Sequence, residues 1–383
     1  MVGGRWRGWS DAVIDMEIYL WLLILPLILA LAERAPARLK PLGWALIWLG
    51  LVLFLGLRRD LGHDWNNYVL MFQRAGAYAL QEAVTLSDPG YMLLTGMVSR
   101  LGLALPVANL VCAGIFATGL LKFVRIQPSP PLALAIAVPV LVAIVGLTTT
   151  RQSVAVGLLM WALALYVSGA RRLPPLLLLG ALLFHWTAVI LLPLVPMMLA
   201  RRFNHALVVF SAAVAGAVLA IALATVPALS ERIAYLDQSS GAPFRTGLTM
   251  AAATALFFGW RRISLSEDER RVASFLTALG LFSAALIPVL SVAADRLGFY
   301  AIPLQIIMFT RLASLVSSEA GRIAMRAAVA GIYVILLAGW LALSGYRACL
   351  VPYRSYLADP AALRDTMPDR HWRAAPCLAS PSA

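Results

Sequence analysis

Residues 42–57 read LGWALIWLGLVLFLGL, and residues 58–68 continue the chain as RRDLGHDWNNY. The first stretch is a continuous apolar run that predicts a tilted membrane helix. The second places four charged residues, one histidine, two amides and two aromatic rings directly after that helix. Charged groups at the mouth of a membrane helix must stay hydrated or find partners. The stretch therefore predicts either an interfacial loop in a belt of arginine and aromatic residues or a functional site.

The composition extends the membrane interpretation to the whole chain. Of its 383 residues, 61% are hydrophobic and 13% are charged, and the mean hydropathy is +0.84. A soluble domain of this size needs more polar surface. We therefore expect an all-α, polytopic integral membrane protein with about ten transmembrane helices and some re-entrant or broken helices.

Ten apolar runs define the expected spans. Two further segments, about 89–103 and 173–200, are too short to cross and return as full spans. We interpret both as re-entrant or broken helices lining a cavity, because irregular backbone at membrane depth is tolerated only there. The ten runs lie at roughly 17–32, 42–57, 106–121, 131–147, 152–168, 205–228, 246–260, 272–290, 297–315 and 323–344.

The distribution of charge orients these spans. With both termini outside, the inside loops carry 16 basic and five acidic residues, a balance of +11, and the outside keeps +2 of the net +13. The inside basic residues lie in short loops beside the span ends, where the positive-inside rule applies. The pattern predicts that His63, His185 and Arg296 lie outside and that Arg171 and Arg261 lie inside.

Polar residues that could form a site gather on this predicted outer face. Arg151 could also be an interfacial anchor, and His185 a core histidine. Arg296 could pair with Asp295, and Tyr353 could belong to an aromatic belt. Convergence of so many polar groups on one face favours a site. The outer set comprises residues 58–68, 88–91 and 150–152, His185, the loop from Tyr235 to Arg245, Asp295, Arg296 and residues 352–354.

The types of polar residue narrow the chemistry. The four histidines, His63, His185, His205 and His371, lack metal-binding spacing, and no nucleotide-binding motif is present. Neither a metal, nor a cofactor, nor nucleic acid is indicated. Arginine forks suit phosphate oxygens, and a histidine or aspartate can take a proton from a hydroxyl. This inventory predicts transfer from a lipid-linked phosphate or pyrophosphate, with a transporter or flippase of lipid-linked sugars as the alternative.

The order of several short motifs resembles one known family. Residues 57–72, with Arg58, Gly62, Asp64 and Tyr68, resemble a signature of the EpsG family of bacterial exopolysaccharide polymerases, part of the Wzy-like group. The resemblance covers about residues 40–356, and His63, Asp88 and Thr187 depart from the usual pattern. The other similar motifs are Asp88-Pro89-Gly90-Tyr91, Arg151-Gln152, His185-x-Thr187-Ala188, Arg296 with Tyr300, and Pro352-Tyr353.

This resemblance implies a metal-independent membrane glycosyltransferase of GT-C-like architecture. Such a protein lies in the bacterial inner (cytoplasmic) membrane and joins undecaprenyl-pyrophosphate-linked oligosaccharide repeat units on the periplasmic side. Its expected partners are the lipid-linked glycan donor and acceptor, membrane lipid, a chain-length regulator and a flippase. An O-antigen-ligase-like transferase is a further alternative.

We expect one polytopic domain over residues 1–345 and an extracytoplasmic tail over residues 346–383. A disulfide between Cys349 and Cys377 would be permitted in that tail.

Roles for individual residues follow from this chemistry. The predicted catalytic residues are His185, Asp64 and Arg151. We favour His185 as the base because it titrates near neutrality, whereas Asp64 lies close in sequence to arginines 58 and 59, which would keep it ionised. Arg58 and Arg151 are expected to bind the donor pyrophosphate. The predicted substrate-binding residues are Arg58, Arg59, His63, Tyr68, Tyr91, Gln152, Arg296, Tyr300 and Tyr353.

Overall fold

The computed structural model describes residues 17–32, 40–199, 216, 241–343 and 347–363, apart from positions 260, 289 and 362. Within these residues every element of regular secondary structure is a helix, and the one isolated β-bridge joins Arg58 to Ser355. The predicted all-α class is therefore confirmed. Several predicted features lie outside the described residues, namely the apolar run 205–228, Tyr235, His205, His371 and Cys377.

Apolar helices make up most of the described chain. Four segments are long and apolar enough to cross a membrane: Leu105–Arg125, Thr150–Val167, Ser291–Leu315 and Glu319–Leu343. By length and composition, the described residues therefore give four candidate spans where the apolar runs predicted about ten. Four further apolar helices are shorter, namely Glu17–Ala32, Pro41–Gly56, Pro130–Gly146 and Leu173–Phe184.

We number the α-helices of the described residues in chain order. Pro41, Pro89 and Pro130 each stand at the first position of a helix, where the missing N–H has no consequence. The helices are α1 Glu17–Ala32, α2 Pro41–Gly56, α3 Trp65–Ala77, α4 Leu80–Ala83, α5 Pro89–Arg100, α6 Leu105–Arg125, α7 Pro130–Ala137, α8 Thr150–Val167, α9 Leu173–Phe184, α10 Leu194–Leu199, α11 Ala242–Gly259, α12 Glu267–Leu286, α13 Ser291–Gly298, α14 Ile302–Leu312 and α15 Glu319–Leu343.

Helix α6 lies at the centre of the bundle, between α2 and α8. It approaches α8 very closely, because a Cβ on Gly157 would lie only 2.6 Å from the Cα of Phe116. Small residues allow helix backbones to approach in this way. On the other side, Trp48 of α2 donates a hydrogen bond from Nε1 to Thr118 Oγ1, 3.0 Å away. These contacts bring the end of α2 and the start of α8 to the same end of the bundle.

Charged contacts lie at both ends of this bundle. At the end where α8 finishes and α12 begins, Arg171 pairs with Asp268 at 2.6 Å, and Arg311 pairs with Glu269. Ser266 and Glu269 form a capping box that starts α12 there. The opposite end carries the turn after α2 and the start of α8. We name this opposite end, which carries residues 58–64 and 150–152, the polar end.

The two segments that were predicted to be too short to span are broken or short in the structure. Helix α5 has 12 residues, and at about 1.5 Å per residue it covers about 18 Å, less than the hydrocarbon thickness. Helix α9 ends at Phe184, His185 has extended backbone, and a 3₁₀ turn follows over Trp186–Leu191. The start of α5 places Asp88 at the polar end, and the break after α9 places His185 there.

The first part of the C-terminal tail packs against the turn after α2. Arg59 N–H donates to Arg354 O at 2.9 Å, and Tyr356 N–H donates to Leu57 O at 2.9 Å. These bonds satisfy backbone groups that the end of α2 would otherwise leave open.

Candidate functional site

The turn between α2 and α3 depends on one glycine. Gly62 has φ +91°, and a Cβ there would lie 2.7 Å from the carbonyl oxygen of Leu147. Gly62 N–H also donates to Cys349 O at 2.8 Å. A side chain at position 62 would therefore be strained and would collide with the backbone after α7. The turn delivers Asp64 to the position just before α3.

Asp64 forms the first of two arginine–aspartate pairs. Its Oδ2 lies 3.4 Å from Arg296 Nη2 and 3.6 Å from His63 Nε2. Gln152 of α8 donates from Nε2 to Arg296 O at 2.5 Å. Residues from three separate motifs of the sequence thus meet at one place.

The electrostatics of this pair keep Asp64 ionised. Burial would raise the pKa of Asp64, but the charges of His63, Arg296 and Arg151 together outweigh burial, and the pKa lies below its ordinary value. Burial lowers the pKa of His63, opposed by Asp64 and assisted by Arg296. Asp64 is therefore a weak base and a good acceptor of hydrogen bonds.

Asp88 forms the second pair and connects three groups. Its Oδ2 lies 2.5 Å from Arg151 Nη1 and 3.5 Å from His185 Nδ1. Its Oδ1 accepts the backbone N–H of Trp186 at 3.1 Å. The carboxylate therefore holds the start of α8 against the break after α9. The sequence places Asp88 in the predicted outer set and in a family-like motif, but no role was predicted for it, although its place before Pro89 and Gly90 was a usable signal.

His185 lies deep in this arrangement, with its side chain 8% exposed. Neither ring nitrogen has a hydrogen-bond partner of normal geometry among the described residues, since Asp88 lies at the outer limit of distance. Two residues further on, Thr187 Oγ1 and Tyr300 OH lie 3.0 Å apart. Unpaired buried polar atoms are uncommon and ask for an explanation such as a catalytic role.

Two tyrosines fill the space between the pairs. Tyr68 N–H donates to Asp64 O at 3.1 Å, so the two residues lie one helical turn apart at the start of α3. The guanidinium carbon of Arg151 lies 5.9 Å from the centre of the Tyr68 ring. Tyr91 packs edge-on against Tyr68 with the ring centres 5.6 Å apart. Tyr68 therefore adjoins both pairs, through its ring at Arg151 and through its backbone at Asp64.

Arg58 and Arg59 take other positions than the sequence suggested. Arg58 is 1% exposed and donates to Leu55 O and Thr150 Oγ1. Arg59 pairs with Asp359 in the tail. The expectation that these two arginines keep Asp64 ionised is wrong, because the turn after α2 carries them to other partners and Arg296 contacts Asp64 instead.

Tyr353 lies in an aromatic cluster beside the last turn of α2. Its ring stacks on Phe54 with the centres 4.7 Å apart, and its hydroxyl donates to Phe54 O at 2.6 Å. Tyr19 packs edge-on against both rings. These contacts fasten the first part of the tail to α1 and to the end of α2.

The fold and the site together define a helical membrane protein with an arginine–aspartate site at one end of its bundle. Among the described residues, no group of three or more His, Cys, Asp and Glu side chains could hold a metal ion. Residues 42–355 match the sequence model of the EpsG family, and the chain belongs to this family. Membership implies a Wzy-like exopolysaccharide polymerase. Comparisons with curated proteins and with solved structures gave no match.

Proposed function

We propose that this protein polymerises lipid-linked oligosaccharide repeat units at the outer face of the bacterial inner membrane. A growing glycan leaves its undecaprenyl pyrophosphate and is transferred to a hydroxyl of a second lipid-linked repeat unit. The proposal includes about ten spans in a GT-C-like arrangement, with residues 1–345 as one domain and residues 346–383 as an outer tail. Family membership supports the activity, and the position of the site supports the substrate class.

The observation that carries the proposal is the pairing of two partly exposed arginines with two aspartates at the end of an apolar bundle. The side chains of Arg151 and Arg296 are 20% and 26% exposed, whereas Asp88 is 5% exposed. Each guanidinium therefore has donors that its aspartate does not occupy. Such forks match the oxygens of a phosphate or pyrophosphate at the level where a polyprenyl carrier enters the membrane.

The same arginines suit the transition state of glycosyl transfer. The acceptor hydroxyl oxygen forms a bond to the anomeric carbon, and the bond from that carbon to the phosphate oxygen breaks. The electron pair leaves with the pyrophosphate, whose negative charge increases. Arg151 and Arg296 would therefore stabilise the transition state more than the bound substrate.

The hydroxyl proton needs an acceptor, and we assign this role to His185. Asp88 lies near Nδ1, which favours a proton on that nitrogen and leaves Nε2 to accept the proton of the hydroxyl. Asp64 is the weaker base because Arg296 and His63 hold it ionised. We assign to Asp64 the task of orienting the acceptor or Arg296.

The glycan of a deletion strain tests the proposed activity. Loss of the protein should leave single repeat units on the lipid carrier and remove the polymer, and expression of the protein should restore the polymer. Full-length polymer that stays on the carrier would instead indicate a ligase-like transferase. Repeat units that remain on the cytoplasmic face would indicate a flippase.

A further inference from the structure

Helix α13 presents two oppositely charged neighbours to different partners. Asp295 binds Arg245 of α11 through two hydrogen bonds, 2.9 Å from Arg245 Nε to Oδ1 and 2.6 Å from Nη2 to Oδ2. Arg296 instead extends to Asp64. Consecutive residues on a helix do not face each other, so the two contacts lie on different sides of α13.

The Arg245–Asp295 pair is built into the bundle. The side chains are 8% and 15% exposed, and the guanidinium carbon of Arg245 lies 5.6 Å from the Phe299 ring centre. The backbone carbonyl of Arg245 accepts a hydrogen bond from Gln305 Nε2 at 3.3 Å. A two-bond geometry of this kind neutralises a carboxylate more fully than a single contact does.

Removing Arg245 would leave an unpaired, mostly buried carboxylate one residue away from Arg296. The negative charge of Asp295 would act strongly on Arg296, because the attraction between unit charges grows as the surroundings become less polar. Asp295 would then weaken the local positive potential around Arg296. This change would reduce the affinity of Arg296 for an anionic group.

We propose that Arg245 is a positioning residue, which occupies Asp295 and so keeps Arg296 available for the anionic group of the substrate. This role rests on the proposed function only in the identity of that group as a pyrophosphate. Two of the three guanidinium nitrogens of Arg245, Nε and Nη2, bind Asp295, and the role requires no contact between Arg245 and the substrate.

Binding of inorganic pyrophosphate to the purified full-length protein tests this role by calorimetry. Arg245→Gln should weaken binding by about tenfold or more, because Asp295 becomes a competing anion. The double variant Arg245→Gln with Asp295→Asn should bind within about threefold of the wild type, because the competing charge is gone. Arg171→Gln, which breaks the Arg171–Asp268 pair at the opposite end of the bundle, is the matched control and should bind as the wild type does.

A purely structural role would give a different pattern. Arg245→Gln would then lower the thermal stability without changing the affinity of the folded protein, and the role would be refuted. It would equally be refuted if the double variant bound as weakly as the single one, or if the wild type did not bind pyrophosphate. Arg245→Lys keeps the charge but loses the two-bond geometry, so it should bind more weakly than the wild type and more tightly than Arg245→Gln. If Arg245→Gln fails to fold, wild-type affinity of Arg245→Lys counts against the role.

Polymer formation in cells is measured separately. If the affinities follow the expected pattern and the wild type forms no polymer, the role of Arg245 stands and only the polymerase assignment is wrong. If polymer forms and the affinities do not follow the pattern, the polymerase assignment stands and the role of Arg245 is wrong.

Discussion

Arg296 reaches Asp64 across 232 residues of sequence, with Nη2 of the arginine 3.4 Å from Oδ2 of the aspartate. This contact joins α13 to the polar turn after α2. Gln152, which binds the backbone of Arg296, adds the start of α8 to the same place. The motifs are far apart in the chain because each lies at the end of a different helix, and the helices bring them together at the polar end.

Arg151→Lys should reduce polymer formation by about 10²–10³, which corresponds to about 2.7–4 kcal/mol of transition-state stabilisation. Arg151 Nη1 already contacts Asp88 and Ser87, so the fork has to serve the aspartate and the substrate together. A lysine ammonium is a single point of charge and cannot do both in the same geometry. Polymer length and yield in a complemented deletion strain measure the effect, with Arg171→Lys as the control. Near-normal polymer from Arg151→Lys would reduce Arg151 to an interfacial anchor.

His185→Ala should abolish polymer formation while the protein still inserts and still binds lipid-linked repeat units. The reason is that the hydroxyl loses its proton acceptor, whereas the arginines that hold the pyrophosphate are unchanged. Asp64→Asn should also insert, which makes it the natural comparison. Full-length polymer from His185→Ala would remove this histidine from the mechanism and transfer the role of base to Asp64.

Gly62→Ala should destabilise the protein more than Gly102→Ala, by upwards of about 1 kcal/mol. Both glycines have positive φ, +91° and +68°, so both substitutions strain the backbone. Only at position 62 would the new Cβ also meet backbone, at 2.7 Å from Leu147 O, whereas nothing lies within 4 Å at position 102. Thermal unfolding of the detergent-purified variants compares the two. Equal losses would show that the close approach at Gly62 does not matter.

Much of the fold could be predicted because each apolar run of the sequence determines its own helix. The apolar run 42–57 corresponds to α2 at Pro41–Gly56, and the runs 106–121 and 152–168 correspond to α6 and α8. The break at His185 was also predictable, since the apolar stretch around it is too short to cross and return.

The partners within the site could not be predicted, because they depend on how helices pack. Asp88 meets Trp186, 98 residues away, only because α5 and α9 contact each other. The charge of Arg58 suggested a ligand contact, and nothing in its neighbours revealed that the side chain is 1% exposed. Arg59 pairs with its sequence neighbour Asp60 at 3.4 Å, but it also reaches Asp359, 300 residues away in the tail. Sequence proximity is a poor guide to such contacts once a turn reverses the chain.

The polar end should face the outside of the cell. The variants Leu357→Cys and Arg261→Cys place single reporters at the two ends of the bundle. Leu357 N–H binds Ser355, which binds Leu57 O in the turn after α2, and Arg261 lies between α11 and α12. Both positions are exposed, and the native cysteines are removed first. An impermeant thiol reagent added to intact cells should label position 357 and spare position 261, because basic residues beside span ends stay in the cytoplasm. Labelling at position 261 alone would invert the orientation and place the site on the wrong side for the proposed substrates.

Reconstitution tests the central claim most directly. The purified protein is placed in lipid vesicles with undecaprenyl-pyrophosphate-linked repeat units, and the lipid-linked products are separated by size. We expect a ladder of glycans that differ by one repeat unit, formed by the wild type and absent with Arg151→Lys. Repeat units that remain single in the presence of correctly folded wild-type protein would contradict the assignment as a polymerase.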